Sequence, residues 1–126
     1  MAPTFAEVSK ARYILLTTFT KDGRPKPTAV GAAPDGDRLL VHTEEDSWKV
    51  TRIRNTPRVT VAVCDMRGRP KGEPVDAVAK VLDKAEAADV QRAITKRYGL
   101  LGPLFDAYLK LSGYAKKSIG IELKAA

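Results

Sequence analysis

The sequence predicts a mainly β fold, a small antiparallel barrel of six strands with flanking helices inserted at two places. Three observations carry this expectation. Short runs rich in Val, Ile, Leu and Thr recur along the chain, several with apolar residues at every second position. Turn-forming clusters, Lys21-Asp-Gly-Arg24, Pro34-Asp-Gly-Asp37 and Met66-Arg-Gly-Arg-Pro-Lys-Gly72, separate the runs. Helical spacing of apolar residues, opened by capping residues, appears only between certain of them.

Taken in order, Thr4-Phe-Ala-Glu7 has capping-box spacing and predicts a short helix to about Lys10. Arg12–Thr20 is β-branched and aromatic without Pro or Gly and reads as the first strand. Pro25–Ala33 is the second, with Pro25 and Pro27 excluding helix and thinning its hydrogen-bond ladder at the start. Arg38–Thr43 is the third. A helix from Ser47 to about Asn55 follows, capped by Asp46 or Ser47 and stopped by Pro57. Arg58–Asp65 alternates, with Val59, Val61 and Val63 on one face, and Glu73–Leu82 does so through Val75, Ala77, Ala79 and Val81. Asp83-Lys-Ala-Glu86 opens a helix carrying Ala87, Val90, Ala93 and Ile94 and ending near Tyr98-Gly99. Leu101 to about Leu111 reads as a further helix, and Ser118–Lys124 as the closing strand. The first strand bears large apolar groups on both faces: Ile14 and Leu16 on one, Tyr13, Leu15 and Phe19 on the other. One face fills the barrel, and a dimer interface would cover the other.

With 126 residues, the chain is expected to be a single domain over 1–126, large enough to bury one core. The single cysteine excludes a disulfide scaffold, and with the single histidine it leaves neither a zinc-type ligand set nor an ordinary Ser-His-Asp or Cys-His hydrolase. No secretory leader and no apolar run of spanning length is expected, which predicts a cytoplasmic protein without membrane insertion. Lys and Arg number 22 against 15 Asp and Glu, a formal charge of +7, in a chain with the composition of a globular domain. Such an excess calls for an anionic partner: nucleic acid, a membrane surface or a polyanionic small molecule.

The segment Thr43–Pro57 is the most informative. At 100° per residue, Val50 and Ile53 lie about 60° apart on a core face, and Lys49 and Arg52 lie about 60° apart beside them. A strand end carrying Thr43 thus feeds a helix start with Ser47, Trp48, free backbone N–H groups and two cationic heads. That is how an anion site is built; it is equally how a solvated basic face behind a simple helix cap is built. Trp48 is either a core plug or a lid over a flat ligand. Arg67-Gly-Arg-Pro-Lys-Gly72, echoed by Gly23-Arg-Pro-Lys26, has the Arg-Gly-Arg-Pro core of a minor-groove hook. Both copies fall at turns between strands, so the turn reading is preferred and nucleic acid is set aside as the main partner. Cys64 alternates away from the Val59/Val61/Val63 face and reads as a small buried residue. His42, beside the anion segment, has no second titrating partner in sight and is given no acid–base role.

Leu16-Thr-Thr, Asp22-Gly-Arg-Pro25, Arg38-Leu-Leu-Val-His-Thr43, Ser47-Trp-Lys49, Arg52-Ile-Arg-Asn-Thr-Pro-Arg-Val-Thr-Val-Ala62 and Cys64-Asp-Met-Arg-Gly68 together resemble the split β-barrel flavin and deazaflavin proteins. This is the pyridoxamine-phosphate-oxidase-like superfamily, and the pattern looks most like its actinobacterial subgroup that uses coenzyme F420. The resemblance covers nearly the whole chain, including Lys96-Arg-Tyr-Gly99 and Ile119-Gly-Ile-Glu122. It implies a six-stranded split barrel, a homodimer, and two cofactor clefts shared between subunits. Carried over by position, it places Thr43, Ser47, Trp48 and Lys49 around the cofactor phosphate with Arg52 close by. Thr28, Ala29, Val30, Gly31 and Ala32 would run alongside the tricyclic ring, with backbone groups meeting its polar edge. Catalytic residues are not implied, since the cofactor carries the hydride.

Two departures bear on the cofactor. Flavin-using relatives commonly carry a basic residue where Trp48 stands, so one phosphate contact is lost and F420 is favoured over FMN. Many deazaflavin-using relatives carry a Trp where this chain has Gly31, which opens space over the ring. The expected function is therefore an F420-dependent oxidoreductase passing a hydride to an electron-poor, conjugated small-molecule substrate. The alternatives are an FMN oxidase or reductase of the same fold, a non-catalytic F420 carrier, and a minor-groove DNA binder acting through Arg67 and Arg69.

Overall fold

The alternation that predicts the strands also sets their faces. The computed structural model describes residues 3–11, 13–65, 67–97 and 118–126; the helix expected over Leu101–Leu111 and the helix end at Tyr98-Gly99 lie outside them. Strands β1 (Tyr13–Phe19), β2 (Pro25–Asp35), β3 (Arg38–Glu44), β4 (Arg58–Val63), β5 (Val75–Val81) and β6 (Ser118–Ala125) form one closed antiparallel barrel in the order β1-β2-β3-β6-β5-β4. Ile14, Leu16, Leu39, Val41, Val59, Val61, Ile121 and Leu123 fill it and are fully buried. Each such side chain contributes about 1.5–3 kcal/mol. A one-residue slip of any strand would turn its whole set outward, so the pattern fixes the register.

The two short helices close opposite ends of β4. In α1 (Phe5–Val8) Thr4 accepts from the Glu7 backbone N–H at 3.2 Å. The return half of the capping box differs from expectation: the Thr4 hydroxyl donates to the Glu7 carboxylate at 3.3 Å. The helix ends at Val8, because Ser9 turns the chain by bonding back to the Phe5 and Ala6 carbonyls. Val8 inserts into the barrel core near Val63. At the other end α2 (Trp48–Asn55) buries Val50 and Ile53, the face expected of it, and is followed by Arg58. Helix α3 (Ala87–Arg97), entered through a 3₁₀ turn at Lys84–Glu86, lays Val90 and Ile94 over Ala33, Leu40 and Leu82 on the outer face of the barrel. Asp83 stands at the cap position of that turn without a side-chain bond.

Three strand ends differ from expectation by two residues, and several others by one. β2 runs on through Pro34 to Asp35, Pro34 being tolerated opposite Leu39 beside the tight turn at Gly36 (φ +63°). β4 stops at Val63, with Cys64 making one isolated bridge to Pro70. β5 begins at Val75, so Glu73 belongs to the loop. Cys64 is a buried free thiol, as expected, and burial raises its pKa.

Candidate functional site

The barrel is closed but its second and third strands separate. β2 pairs with β1 from Pro25 to Gly31, and with β3 only from Ala32 to Asp35. β3 pairs with β6 along its whole length, from Arg38 to Glu44. Had the β2–β3 ladder run on, Gly31 would face His42, Val30 would face Thr43 and Ala29 would face Glu44. Instead the ladder stops at the Ala32–Val41 pair, and β2 from Thr28 to Gly31 and β3 at Thr43 and Glu44 do not pair with each other. Backbone N–H and C=O groups that a ladder leaves unpaired must find other partners.

The predicted residues fall on the two lips of this opening. Residues opposite one another in an antiparallel pair share a face. Thr28 and Val30, opposite Leu16 and Ile14, therefore face the barrel interior, whereas Ala29 and Gly31, opposite Leu15 and Tyr13, face outward. Ala32 is fully buried in the core, which leaves only its backbone for any ligand. On the other lip Thr43 is 6 % exposed on the interior side of β3, and the chain passes through Glu44–Asp46 into α2.

The α2 start is a more specific object than a helix cap. Ser47 occupies the cap position, extended at φ −72° and ψ 152°, yet its side chain makes no capping bond. Its Oγ is buried and has no hydrogen-bond partner among the described residues, a cost of about 1–3 kcal/mol unless something else satisfies it. Trp48, the first helical residue, is 76 % exposed, so it plugs no core in this chain. Lys49 is half-buried; desolvation lowers its pKa, the nearby Arg52 charge adds to this, and Glu44 opposes it. Arg52 Nε donates to the buried Thr18 Oγ1 at 2.7 Å, which anchors the helix to β1. Thr18 was missed at the sequence level; a Thr among apolar inward positions is the only signal it gives. A desolvated cation, an orphaned hydroxyl and a helix N-terminus in one place are chemically suited to a phosphate. His42 lies on the outward face with Gly120 opposite, and burial brings its pKa down to about 4, so it is neutral near pH 7.

The Arg67–Gly72 segment is a folded loop. Asp65 Oδ1 accepts from the backbone N–H groups of Arg67 (2.9 Å) and Arg69 (3.0 Å), and Oδ2 accepts from Arg69 Nε at 2.8 Å. Gly68 takes φ +82° and rests against β1 and β2; a Cβ there would lie 3.4 Å from Ala29 Cβ and 3.9 Å from Leu15 Cδ1. Part of the cover expected from a dimer partner over Leu15 is thus intramolecular. Surface grooves of about 560 Å³ (between α1 and Lys71–Glu73) and about 370 Å³ (Phe19, Lys21, Thr56 and Arg58 among its walls) contain none of the predicted residues. Register and chemistry locate the candidate site.

Among the described residues no three His, Cys, Asp or Glu side chains gather as a metal-binding group, and no helix is long and apolar enough to cross a membrane. A closed six-stranded barrel whose second and third strands part beside an inserted helix defines a split-barrel protein. The sequence matches the model of the pyridoxamine 5'-phosphate oxidase family over residues 2–120, and the chain belongs to that family. No curated protein matches it. Among solved structures, it is similar to a conserved hypothetical protein of Mycobacterium tuberculosis, with 23% identity, TM-score 0.69, and 99% of this chain and 82% of that chain covered. A heme storage protein of Vibrio cholerae aligns with 15% identity, TM-score 0.67 and coverage of 96% and 87%. A FAD-binding protein of Mesorhizobium loti aligns with 18% identity, TM-score 0.62 and coverage of 95% and 84%. These likenesses show the fold.

Proposed function

We propose that the chain is a deazaflavin-dependent oxidoreductase that binds coenzyme F420 in the β2–β3 opening and passes a hydride to an electron-poor, conjugated small molecule. The observation that carries this reading is the parting of β2 from β3 beside an α2 start whose Ser47 Oγ is buried and unpartnered among the described residues. Ser47, Lys49 and the α2 N–H groups hold the phosphate, with Thr43 and Arg52 completing a positive, partly desolvated corner. The edge of Thr28–Gly31 meets the polar rim of the ring through its backbone, and Ala32 contributes only backbone. Trp48, exposed at the helix start, covers the bound ligand or a second subunit.

The bound cofactor supplies the hydride, while the protein supplies orientation and electrostatics. The excess of seven positive charges suits a ligand that carries a phosphate and several carboxylates. A single domain and a homodimer belong to the same reading, with the second subunit forming the other wall of each cleft. FMN is the competing ligand, favoured by the FAD-binding neighbour and opposed by Trp48 in the place of a basic residue. Titration of the purified protein with F420 and with FMN, followed by fluorescence, decides between them. Micromolar F420 binding together with weak or absent FMN binding is expected; FMN binding without F420 binding overturns the deazaflavin assignment.

A further inference from the structure

The described residues that follow β4, Asp65 and Arg67–Gly72, reach back onto β2. Asp65 holds both the Arg67 and the Arg69 backbone N–H groups and the Arg69 side chain, which ties these described residues together. The chain closes on itself through Gly68 N–H to the Asp65 carbonyl (3.0 Å) and Asp65 N–H to the Arg69 carbonyl (3.1 Å). Its tip, Gly68, packs on Ala29, whose strand edge forms one lip of the opening. The two arginines flanking that tip differ. Arg69 is committed to Asp65 at 2.8 Å. The Arg67 guanidinium is exposed, and among the described residues no side-chain hydrogen bond or ion pair engages it.

We propose that this loop is the outer wall of the cleft and that Arg67 is its ligand-contacting residue, receiving a planar oxo-group that lies over Ala29 and Gly31. The inference rests on the β2–β3 opening being the cofactor cleft. A guanidinium fork matches two coplanar oxygen acceptors. Two groups could offer acceptors at this place: the carboxylate of an acidic, conjugated substrate, which the fork would meet with two N–H donors, and a single carbonyl oxygen on the polar edge of the cofactor ring, which it would meet with one. Gly68 is favoured at the tip by its φ of +82°, which strains an L side chain; a Cβ there would meet Ala29 and Leu15 only at ordinary contact distances. The Arg-Gly-Arg core thus serves as a clamp and a reader, with Arg69 in the first role and Arg67 in the second.

The test uses the full chain as wild type, Arg67→Ala, Arg67→Lys, and Lys80→Ala as a control that removes one exposed positive charge elsewhere. Each is titrated with F420, and the F420-loaded proteins are then titrated with cinnamate and with cinnamamide, read by the deazaflavin spectrum. Melting curves of Arg67→Ala close to wild type are expected for an exposed, unengaged side chain. If the substrate carboxylate is the ligand, wild type and Lys80→Ala prefer cinnamate to cinnamamide about tenfold, Arg67→Ala loses the preference and Arg67→Lys recovers part of it. If the ring edge is the ligand, Arg67→Ala weakens F420 itself about tenfold and Lys80→Ala does not. Arg67→Ala behaving as Lys80→Ala in both titrations overturns the role of the loop. Failure of wild type to bind either F420 or FMN overturns the cleft itself, and with it this inference, before any variant is compared.

Discussion

Arg52 Nε on α2 and Thr18 Oγ1 on β1 are joined by a 2.7 Å hydrogen bond, and Thr18 is fully buried. The bond fixes the helix that carries Ser47 and Lys49 relative to the barrel wall. Bonds to a charged partner contribute about 1.5–3 kcal/mol, and stranding one partner exposes that full cost. Thr18→Val keeps the shape and removes the acceptor, so urea denaturation is expected to show a loss of about 1–3 kcal/mol. Thr18→Ser restores most of it. Equal stability of Thr18→Val and wild type would mean that the helix is held by Val50 and Ile53 alone.

Gly120 on β6 leaves room for α3. A Cβ there would stand 2.6 Å from Val90 Cγ2 and 3.3 Å from its Cβ, so the helix must shift if a side chain is added. Overpacking of this kind costs about 1–3 kcal/mol. Gly120→Ala is expected to lower the thermal midpoint, and Val90→Ala made in the same chain should return part of the loss by vacating the contested space. A double variant no better than the sum of the two singles would show that Val90 is not the obstacle.

The fold was legible where a single strand states its own face. Val75, Ala77, Ala79 and Val81 alternate in the sequence and line the barrel in the structure. Likewise, Val50 and Ile53 declare the core side of α2. What one strand cannot state is where its partner leaves it. The parting of β2 from β3 after Ala32 and Val41 depends on where α2 inserts and on what fills the gap, which are tertiary facts with no local signature. The α2 residues of the site were visible as a cation pair behind a cap position, but not the failure of Ser47 to cap, which depends on a side-chain rotamer. The Asp65 clamp was written in the sequence as an acidic residue two and four positions before the residues whose N–H groups it holds.

His42 gives the stability curve its acid limb. Burial lowers its pKa from 6.5 to about 4, so between those values the unfolded chain binds the proton that the folded chain refuses. Stability therefore rises with pH across this window, is complete above about 6.5, and is lost as pH falls toward 4. Discounted for partial exposure, the loss is about 2 kcal/mol. Urea midpoints measured from pH 7 to pH 4 are expected to fall, and to fall less in His42→Gln, which has no proton to gain. Parallel slopes in the two proteins would assign the acid sensitivity to carboxylates instead.

Lys49 separates the phosphate reading from a merely structural role. Its pKa is held down mainly by desolvation, with Arg52 adding repulsion. A phosphate placed between the two cations would outweigh both effects through its negative charge and pull the pKa back up. Lys49→Gln keeps length and polarity but removes the charge, and is expected to weaken FMN or F420 binding about tenfold, some 1.4 kcal/mol, while leaving the weak binding of riboflavin, which lacks the phosphate, unchanged. In wild type the affinity for the phosphorylated ligand should begin to fall, as pH rises, before the range in which an ordinary lysine loses its proton, and Lys49→Gln should lack that limb. Added salt should narrow the gap between the phosphorylated and unphosphorylated ligands. If Lys49→Gln weakens FMN and riboflavin equally, the residue acts by holding α2 in place, and the anion corner must be assigned to Ser47 and the helix N–H groups alone.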